Sequence, residues 1–274
     1  MDTKNLILAI AASLAILLGW QTFIEQPRQA EKQAELERLE QAAGRDPNTI
    51  GVPSVPSPGG NQAALRAEPR ARDEVIADTP RININTPALS GTINLVGGRF
   101  DDLTLRDYRD TIEPDSQLIK LLSPRGSEDP YFAEFGWLTG NGTVSGGGQT
   151  RWIANQNELT PDSPVVLTTR TEDGLVLTRT IAVDDYYMFT VNDRIQNAGT
   201  TPINVSQFGR ITRVNEPDTL GFFILHEGPI GILGDTLHEI DYDDLEDEPE
   251  TPQTFESEGG WLGFTDIYWL NALI

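Results

Sequence analysis

Hydrophobic residues fall into two regimes along this chain. Residues 6–24 form a predominantly apolar run without a charged side chain. At about 1.5 Å rise per residue a helix of that length reaches roughly 30 Å, the thickness of a bilayer's hydrocarbon core. Beyond residue 80 the period shortens to two. Ile82-Asn83-Ile84-Asn85 alternates, as do Ile93 with Leu95 and Leu103 with Leu105. Residues 175–183 put Leu175, Leu177, Ile181 and Val183 on one face, broken only by Arg179. Residues 165–170 precede them, and Asp173-Gly174 between the two predicts a hairpin, because glycine tolerates positive φ. Residues 188–196 and 203–211 continue the pattern, joined through Asn197-Ala198-Gly199. No long helical period occurs between residues 80 and 260. Short strands with frequent turn signals predict a mainly β, antiparallel sandwich, too long for a single immunoglobulin-type domain.

The first regime reads as a transmembrane signal anchor over residues 1–25. Trp20 and Phe23 sit at one end, where aromatic rings settle at the membrane interface, while Lys4 and the free amino terminus flank the other. That asymmetry predicts a cytoplasmic N-terminus and export of everything after residue 25, although Arg28 and Lys32 thin the bias. A cleaved secretory signal is the alternative. Its small residues should follow the apolar core, yet Ala9, Ala11, Ala12 and Ser13 lie inside it and Trp20, Gln21 and Phe23 fill the cleavage zone.

Between the regimes, residues 26–44 are rich in Ala, Glu, Gln, Lys, Leu and Arg and predict a short helical stalk, with an apolar stripe limited to Leu36, Leu39 and alanines. Residues 45–79 carry Pro47, Pro53, Pro56, Pro58, Gly59, Gly60 and Pro69. They bury too little apolar surface to offset their ordering entropy, which predicts a linker. Residues 80–274 form the sandwich.

Charge and composition narrow the function classes. The net charge is −22, from 42 acidic and 20 basic residues, which argues against nucleic acid or an anionic lipid surface as the main partner. The absence of cysteine removes disulfides, thiolate metal sites and cysteine nucleophiles. Catalytic signatures fail one by one. His226-Glu227 opens like a His-Glu-x-x-His motif, but Ile230 replaces the second histidine and Pro229 would break the helix. Ser145 falls one place late for a nucleophile elbow. Gly146-Gly147-Gly148 has no lysine behind it to make a phosphate loop. The acidic stretch Asp235, Glu239, Asp241, Asp243, Asp244, Glu246, Asp247, Glu248 and Glu250 lacks the calcium-loop spacing and reads as a solvated loop. No catalytic, cofactor-binding or metal-binding residue is assigned, no cofactor is expected, and the chain does not read as an enzyme. Residues 261–274 are unusually apolar, with Trp261, Leu262, Phe264, Tyr268, Trp269 and Leu270, and read as an incomplete C-terminal end of the sandwich.

Several stretches resemble the N-terminal portion of the YidC family of bacterial membrane protein insertases. They are Gly91-Thr92-Ile93-Asn94-Leu95-Val96-Gly97-Gly98-Arg99-Phe100-Asp101-Asp102-Leu103, Tyr131-Phe132-Ala133-Glu134-Phe135-Gly136-Trp137 and Arg179-Thr180-Ile181-Ala182-Val183-Asp184-Asp185-Tyr186-Tyr187-Met188-Phe189. Further along come Phe222-Phe223-Ile224-Leu225-His226-Glu227-Gly228-Pro229-Ile230-Gly231, Asp241-Tyr242-Asp243-Asp244 and Gly259-Gly260-Trp261-Leu262-Gly263. The resemblance implies a first transmembrane helix, a disordered linker and a periplasmic β-supersandwich similar in fold to mutarotases. It implies a chaperone role in inserting and folding inner-membrane proteins, with nascent membrane proteins as clients, alone or beside the Sec translocon with SecD and SecF. In that family the insertase groove lies in further transmembrane helices, which this chain does not contain. Two other readings remain: a bitopic envelope protein whose sandwich binds a carbohydrate or a peptide, and, on fold analogy alone, a mutarotase-type enzyme.

Overall fold

The structure, a computed structural model, describes residues 68–274 apart from 114, 141, 173, 218–225, 248–252 and 267. The expected anchor, the stalk and the linker up to residue 67 lie outside the described residues, as does the Phe222-Phe223-Ile224-Leu225 stretch. The chain enters through a short helix, α1 (Arg72–Ala77), and continues as β1 (Arg81–Asn85), β2 (Leu89–Asn94), β3 (Arg99–Arg109), β4 (Leu118–Leu122), β5 (Tyr131–Thr139) and β6 (Val144–Ser145). Next come β7 (Ile153–Ala154), β8 (Glu158–Leu159), β9 (Val165–Arg170), β10 (Leu175–Val183), β11 (Phe189–Asn197) and β12 (Val205–Arg213). The last elements are β13 (Gly228–Leu233), β14 (Thr236–Glu239), helix α2 (Tyr242–Asp247), β15 (Gly260–Thr265) and β16 (Leu270–Leu273).

The described residues form three sheets. An eight-stranded sheet runs β12-β5-β3-β2-β1-β8, with β4 added to β3 and β6 to β5. Two four-stranded sheets run β11-β10-β9-β7 and β14-β13-β15-β16. Among the described residues every strand pairing is antiparallel except the two-residue contact of β1 with β8. The mainly β, antiparallel sandwich expected from the alternating pattern is therefore what the chain forms, and all described residues belong to one compact unit.

The core lies between the eight-stranded sheet and the β10 sheet. Ile82, Ile84, Leu89, Ile93, Phe100, Leu103 and Leu105 face Val165, Leu167, Leu175, Leu177, Ile181 and Val183 in one buried cluster. Phe100 and Leu103 are three residues apart and so out of phase for a regular strand. The β2–β3 register slips between Thr92 and Ile93 and restores the phase, opposing Ile93 to Phe100 and Gly91 to Leu103. The extra residue is Asp101, a bulge of the kind that re-aims side chains. Gly91 makes the close approach possible: its φ is +151°, and a Cβ there would stand 2.0 Å from the Asp102 carbonyl oxygen.

Three local expectations change. Residues 72–77 of the expected linker form α1, whose side chains are not buried but whose Arg72 reaches β3. Strands β11 and β12, read as one continuing pattern joined through Asn197-Ala198-Gly199, belong to different sheets, so that connection crosses between sheets. The acidic stretch read as a solvated loop contains α2, with Asp243 and Asp244 in its first turn, where carboxylates suit the helix dipole.

Candidate functional site

The outward face of the eight-stranded sheet carries a row of charge that the strand register assembles. At one end, Arg81 donates from Nε to Thr92 Oγ1 (2.6 Å) and from Nη2 to Asp101 Oδ1. Asn94 Nδ2 donates to Asp101 Oδ2 at 3.2 Å, and Thr92 donates its hydroxyl to Asp102 Oδ2 at 2.6 Å. Arg72 of α1 completes this group through Asp102 Oδ1. The bulge is the reason that Asp101 and Asp102, adjacent in sequence, are both buried and both reached by arginines. Burial pushes the Asp101 carboxyl up, against the opposing charge of Arg81.

At the other end, Phe100 pairs with Ala133 and Arg210 pairs with Glu134. The register thus aligns Arg99, Glu134 and Arg210 across β3, β5 and β12. Arg99 Nε donates to Glu134 Oε2 at 3.1 Å and Arg210 Nη2 donates to Oε1, so both carboxylate oxygens are engaged. Arg99 Nη2 also donates to the Gly148 carbonyl at 2.6 Å, which ties the glycine-rich loop over the row. Burial pushes the Glu134 carboxyl up, but hydrogen bonding and charge from Arg210, then from Arg99, outweigh it and hold the group below its ordinary range. Arg125, on the turn after β4, lies close enough to feel Arg99, Glu134 and Arg210.

A second charged feature sits inside the core. Arg179, the residue that broke the apolar face of β10, is fully buried and donates from Nε and Nη2 to Asp193 Oδ1 and Oδ2, both at 2.7 Å. Its guanidinium carbon stands 5.0 Å from the Trp152 ring centroid and 5.6 Å from that of Phe135.

The surface also carries exposed aromatic residues. Tyr108 packs edge-on against Trp269 at 4.8 Å, and Tyr268 extends the group at 6.4 Å. Tyr187 lies close enough to Tyr108 to feel it electrostatically, while Tyr186 and Met188 stand exposed beside it in sequence. Asp184 and Asp185 precede them, giving the patch an acidic rim.

The motifs weighed for chemistry are spent on structure. His226 faces Asp241 Oδ1 at 3.1 Å and the Pro229 carbonyl at 3.0 Å. His238 stacks against Phe255 at 4.2 Å. Ser145 is buried opposite Trp137, and the Gly146 carbonyl accepts from Trp152 Nε1 at 3.2 Å. Among the described residues no group of three or more His, Asp or Glu side chains could hold a metal ion, and no helix is long and apolar enough to cross a membrane. Sequence reasoning missed the charged row. Its signal was available as arginines and carboxylates at strand positions (Arg81, Arg99, Asp101, Glu134, Arg210) where a solvated face needs no such pairing.

Fold and surface together define an acidic, antiparallel β-sandwich domain whose buried charges are engaged with one another and whose exposed aromatics offer contact area. Comparison with known proteins narrows that class. The chain belongs to the YidC periplasmic domain family, which it matches over residues 81–274. It is 42% identical to a membrane protein insertase YidC of Methylobacterium sp. (strain 4-46), an alignment covering 100% of this chain and 48% of that protein. It is 40% identical to the YidC of Rhizobium meliloti (strain 1021), over 100% of this chain and 46% of the relative. With the YidC of Methylorubrum extorquens (strain PA1) the identity is 38%, over 100% and 47%. The chain spans about half the length of the curated relatives it matches.

Proposed function

We propose that this chain is the N-terminal, exported portion of a membrane protein insertase that assists insertion and folding of inner-membrane proteins, alone or with the Sec translocon and its SecD and SecF partners. Residues 1–25 anchor it with the N-terminus in the cytoplasm. Residues 26–44 and the following linker space the sandwich from the bilayer on the periplasmic side. In this reading the sandwich supplies contacts rather than chemistry, and the insertase helices belong to the half of the relatives' length that this chain does not cover. The observation that supports it is the alignment of the whole chain, at 38–42% identity, with proteins named membrane protein insertase YidC.

Photo-crosslinkers at Tyr108, Tyr187 and Trp269, introduced into the protein in native membranes, test the contact role. Crosslinks to nascent inner-membrane proteins or to SecD or SecF are expected. Crosslinks confined to envelope glycans or soluble periplasmic peptides would replace this reading with that of a ligand-binding sandwich. Resistance to alkaline carbonate extraction and sensitivity to protease on the periplasmic side are expected for the anchor and its orientation.

A further inference from the structure

The sheet β14-β13-β15-β16 has two faces in different surroundings. Ile232 stands opposite both Leu237 and Trp261, Ile230 opposite Glu239 and Gly263, and Thr265 opposite Leu270. Side chains alternate along a strand, so Ile230, Ile232, Leu237, Trp261 and Leu270 share one face across all four strands. The other face is occupied. Its Phe264 packs edge-on against Tyr131 of β5, with ring centroids 6.0 Å apart, and Leu273 Cδ1 reaches 3.0 Å from where a Cβ on Gly209 would stand. On the first face Ile232, Leu237 and Leu270 are 37%, 52% and 51% exposed. Single exposed hydrophobics are ordinary, but a contiguous apolar face of this kind marks an interaction surface.

The charge around that face has one sign. Residues 228–274 contain twelve acidic residues and neither lysine nor arginine, so all 20 basic residues of the chain lie elsewhere. Glu239 stands on the face itself, opposite Ile230. Asp235 in the turn before β14, and Asp243 and Asp244 of α2 behind it, are exposed as well. Among the described residues the ion pairs of this region are Arg213–Asp266 and His226–Asp241, which leave Asp235, Glu239, Asp243 and Asp244 unmatched. The buried carboxylates of the other sheets, by contrast, each meet an arginine. In the turn from β15 to β16, Tyr268 is 78% exposed and offers its ring to a cation.

We propose that this face docks a segment of a partner protein that is apolar along its length and carries lysine or arginine at its ends. The apolar stripe fits the middle of such a segment, and the unmatched carboxylates fit its cations. A second copy of this chain would bring an identical acidic frame and be repelled. The inference rests on the contact role proposed above and names the surface and the chemistry of the partner.

The test uses the whole 274-residue chain in nonionic detergent, with protein-free micelles as the blank. The probe is a fluorescent synthetic peptide of alternating leucine and threonine with paired lysines at both ends, followed by anisotropy. Saturable binding is expected, and a peptide ending in glutamates should not bind. Leu237→Ser and Leu270→Ser should each weaken binding about tenfold, the loss of part of a leucine's burial. Glu239→Gln should weaken it at low salt and less at high salt. Ile153→Ser, at an exposed apolar position of the β10 sheet, and Asp162→Asn, at an exposed acid before β9, should leave it unchanged. Circular dichroism checks folding, and Leu270→Ser carries the test if Leu237→Ser unfolds. Equal affinity for the lysine and glutamate peptides, or wild-type affinity in the folded leucine variants, would overturn the surface. Sedimentation showing a dimer that Leu237→Ser dissociates would overturn it in favour of a second copy. Crosslinks from Tyr108 or Tyr187 to inner-membrane proteins without peptide binding would remove this surface and keep the contact role. Selective peptide binding without such crosslinks would keep the surface and remove the insertase reading.

Discussion

Arg179 and Asp193 stand directly opposite each other on β10 and β11 and share two hydrogen bonds of 2.7 Å, with their side chains 0% and 2% exposed. A buried ion pair is weak evidence for stability, because desolvating two charges consumes most of their attraction, but removing one partner strands the other. Arg179→Leu should therefore cost about 3–5 kcal/mol in urea unfolding followed by tryptophan fluorescence. The double variant Arg179→Leu with Asp193→Val should recover most of that loss. A double variant no more stable than the single one would mean that the pair contributes packing on Trp152 and Phe135 rather than charge neutralisation.

The same pair marks how far the sequence could be read. The alternation of Leu175, Leu177, Ile181 and Val183 was plain, and Arg179 stood out as its only break. Closing Val183 against Phe189 forces Arg179 against Asp193, so a one-residue-better boundary for β11 would have named the partner. The bulge at Asp101 was legible in principle from the phase conflict between Phe100 and Leu103. Helix α1 and the β11–β12 crossover were not. Short-range pattern carries no record of a tie such as that of Arg72 to Asp102, 30 residues away, nor of which sheet a strand joins. The charged row needs three strand registers at once, which local alternation does not supply.

Gly91 is predicted to be intolerant of any side chain. Gly91→Ala meets both an unfavourable φ and a Cβ placed 2.0 Å from the Asp102 carbonyl oxygen, together worth about 2–5 kcal/mol. Gly142→Ala isolates the first effect: its φ is +81° with nothing within 4 Å of the added atom, so about 1 kcal/mol is expected. Chemical denaturation of the two variants should separate them clearly. Equal losses would show that β2 shifts away from the bulge at little cost.

Glu134 should shape the acid limb of stability. Its folded-state pKa lies below the ordinary 4.5, because Arg210 and Arg99 outweigh burial, with Arg125 nearby. A depressed carboxylate contributes stability that is present above the unfolded value and lost as pH falls through the folded one. Glu134→Gln should lower stability at neutral pH by about 3–5 kcal/mol, since Arg99 and Arg210 then lose the carboxylate they share. That difference should shrink as pH drops below about 4.5. Asp101, shifted upward by burial, is common to both proteins and cancels in the comparison. A variant-to-wild-type difference that stays constant down the acid limb would remove Glu134 as its source.

Arg72 tests whether α1 is part of the domain or a passenger on it. The helix has six residues and buries none of them, too few to be stable alone, since isolated helices need about 12–15 residues. Its ties to the sheet are Arg72 to Asp102 and, at 3.4 Å, to the Leu122 carbonyl; Arg70 N–H also donates to the Gly126 carbonyl at 3.0 Å. Arg72→Gln removes the charge while Asp102 keeps the Thr92 hydroxyl as a donor, so the global cost should be only about 1–3 kcal/mol. The local effect should be larger: amide exchange over residues 72–78 should approach that of an unstructured peptide while β1 to β3 stay protected. Because this helix lies at the end of the expected linker, such a variant would, on the proposed anchoring, lengthen the spacer by the residues it releases. If exchange in β2 and β3 rises together with that of α1, the helix is instead a cooperative piece of the sandwich, and Arg72 holds the bulge as well as the entry of the chain.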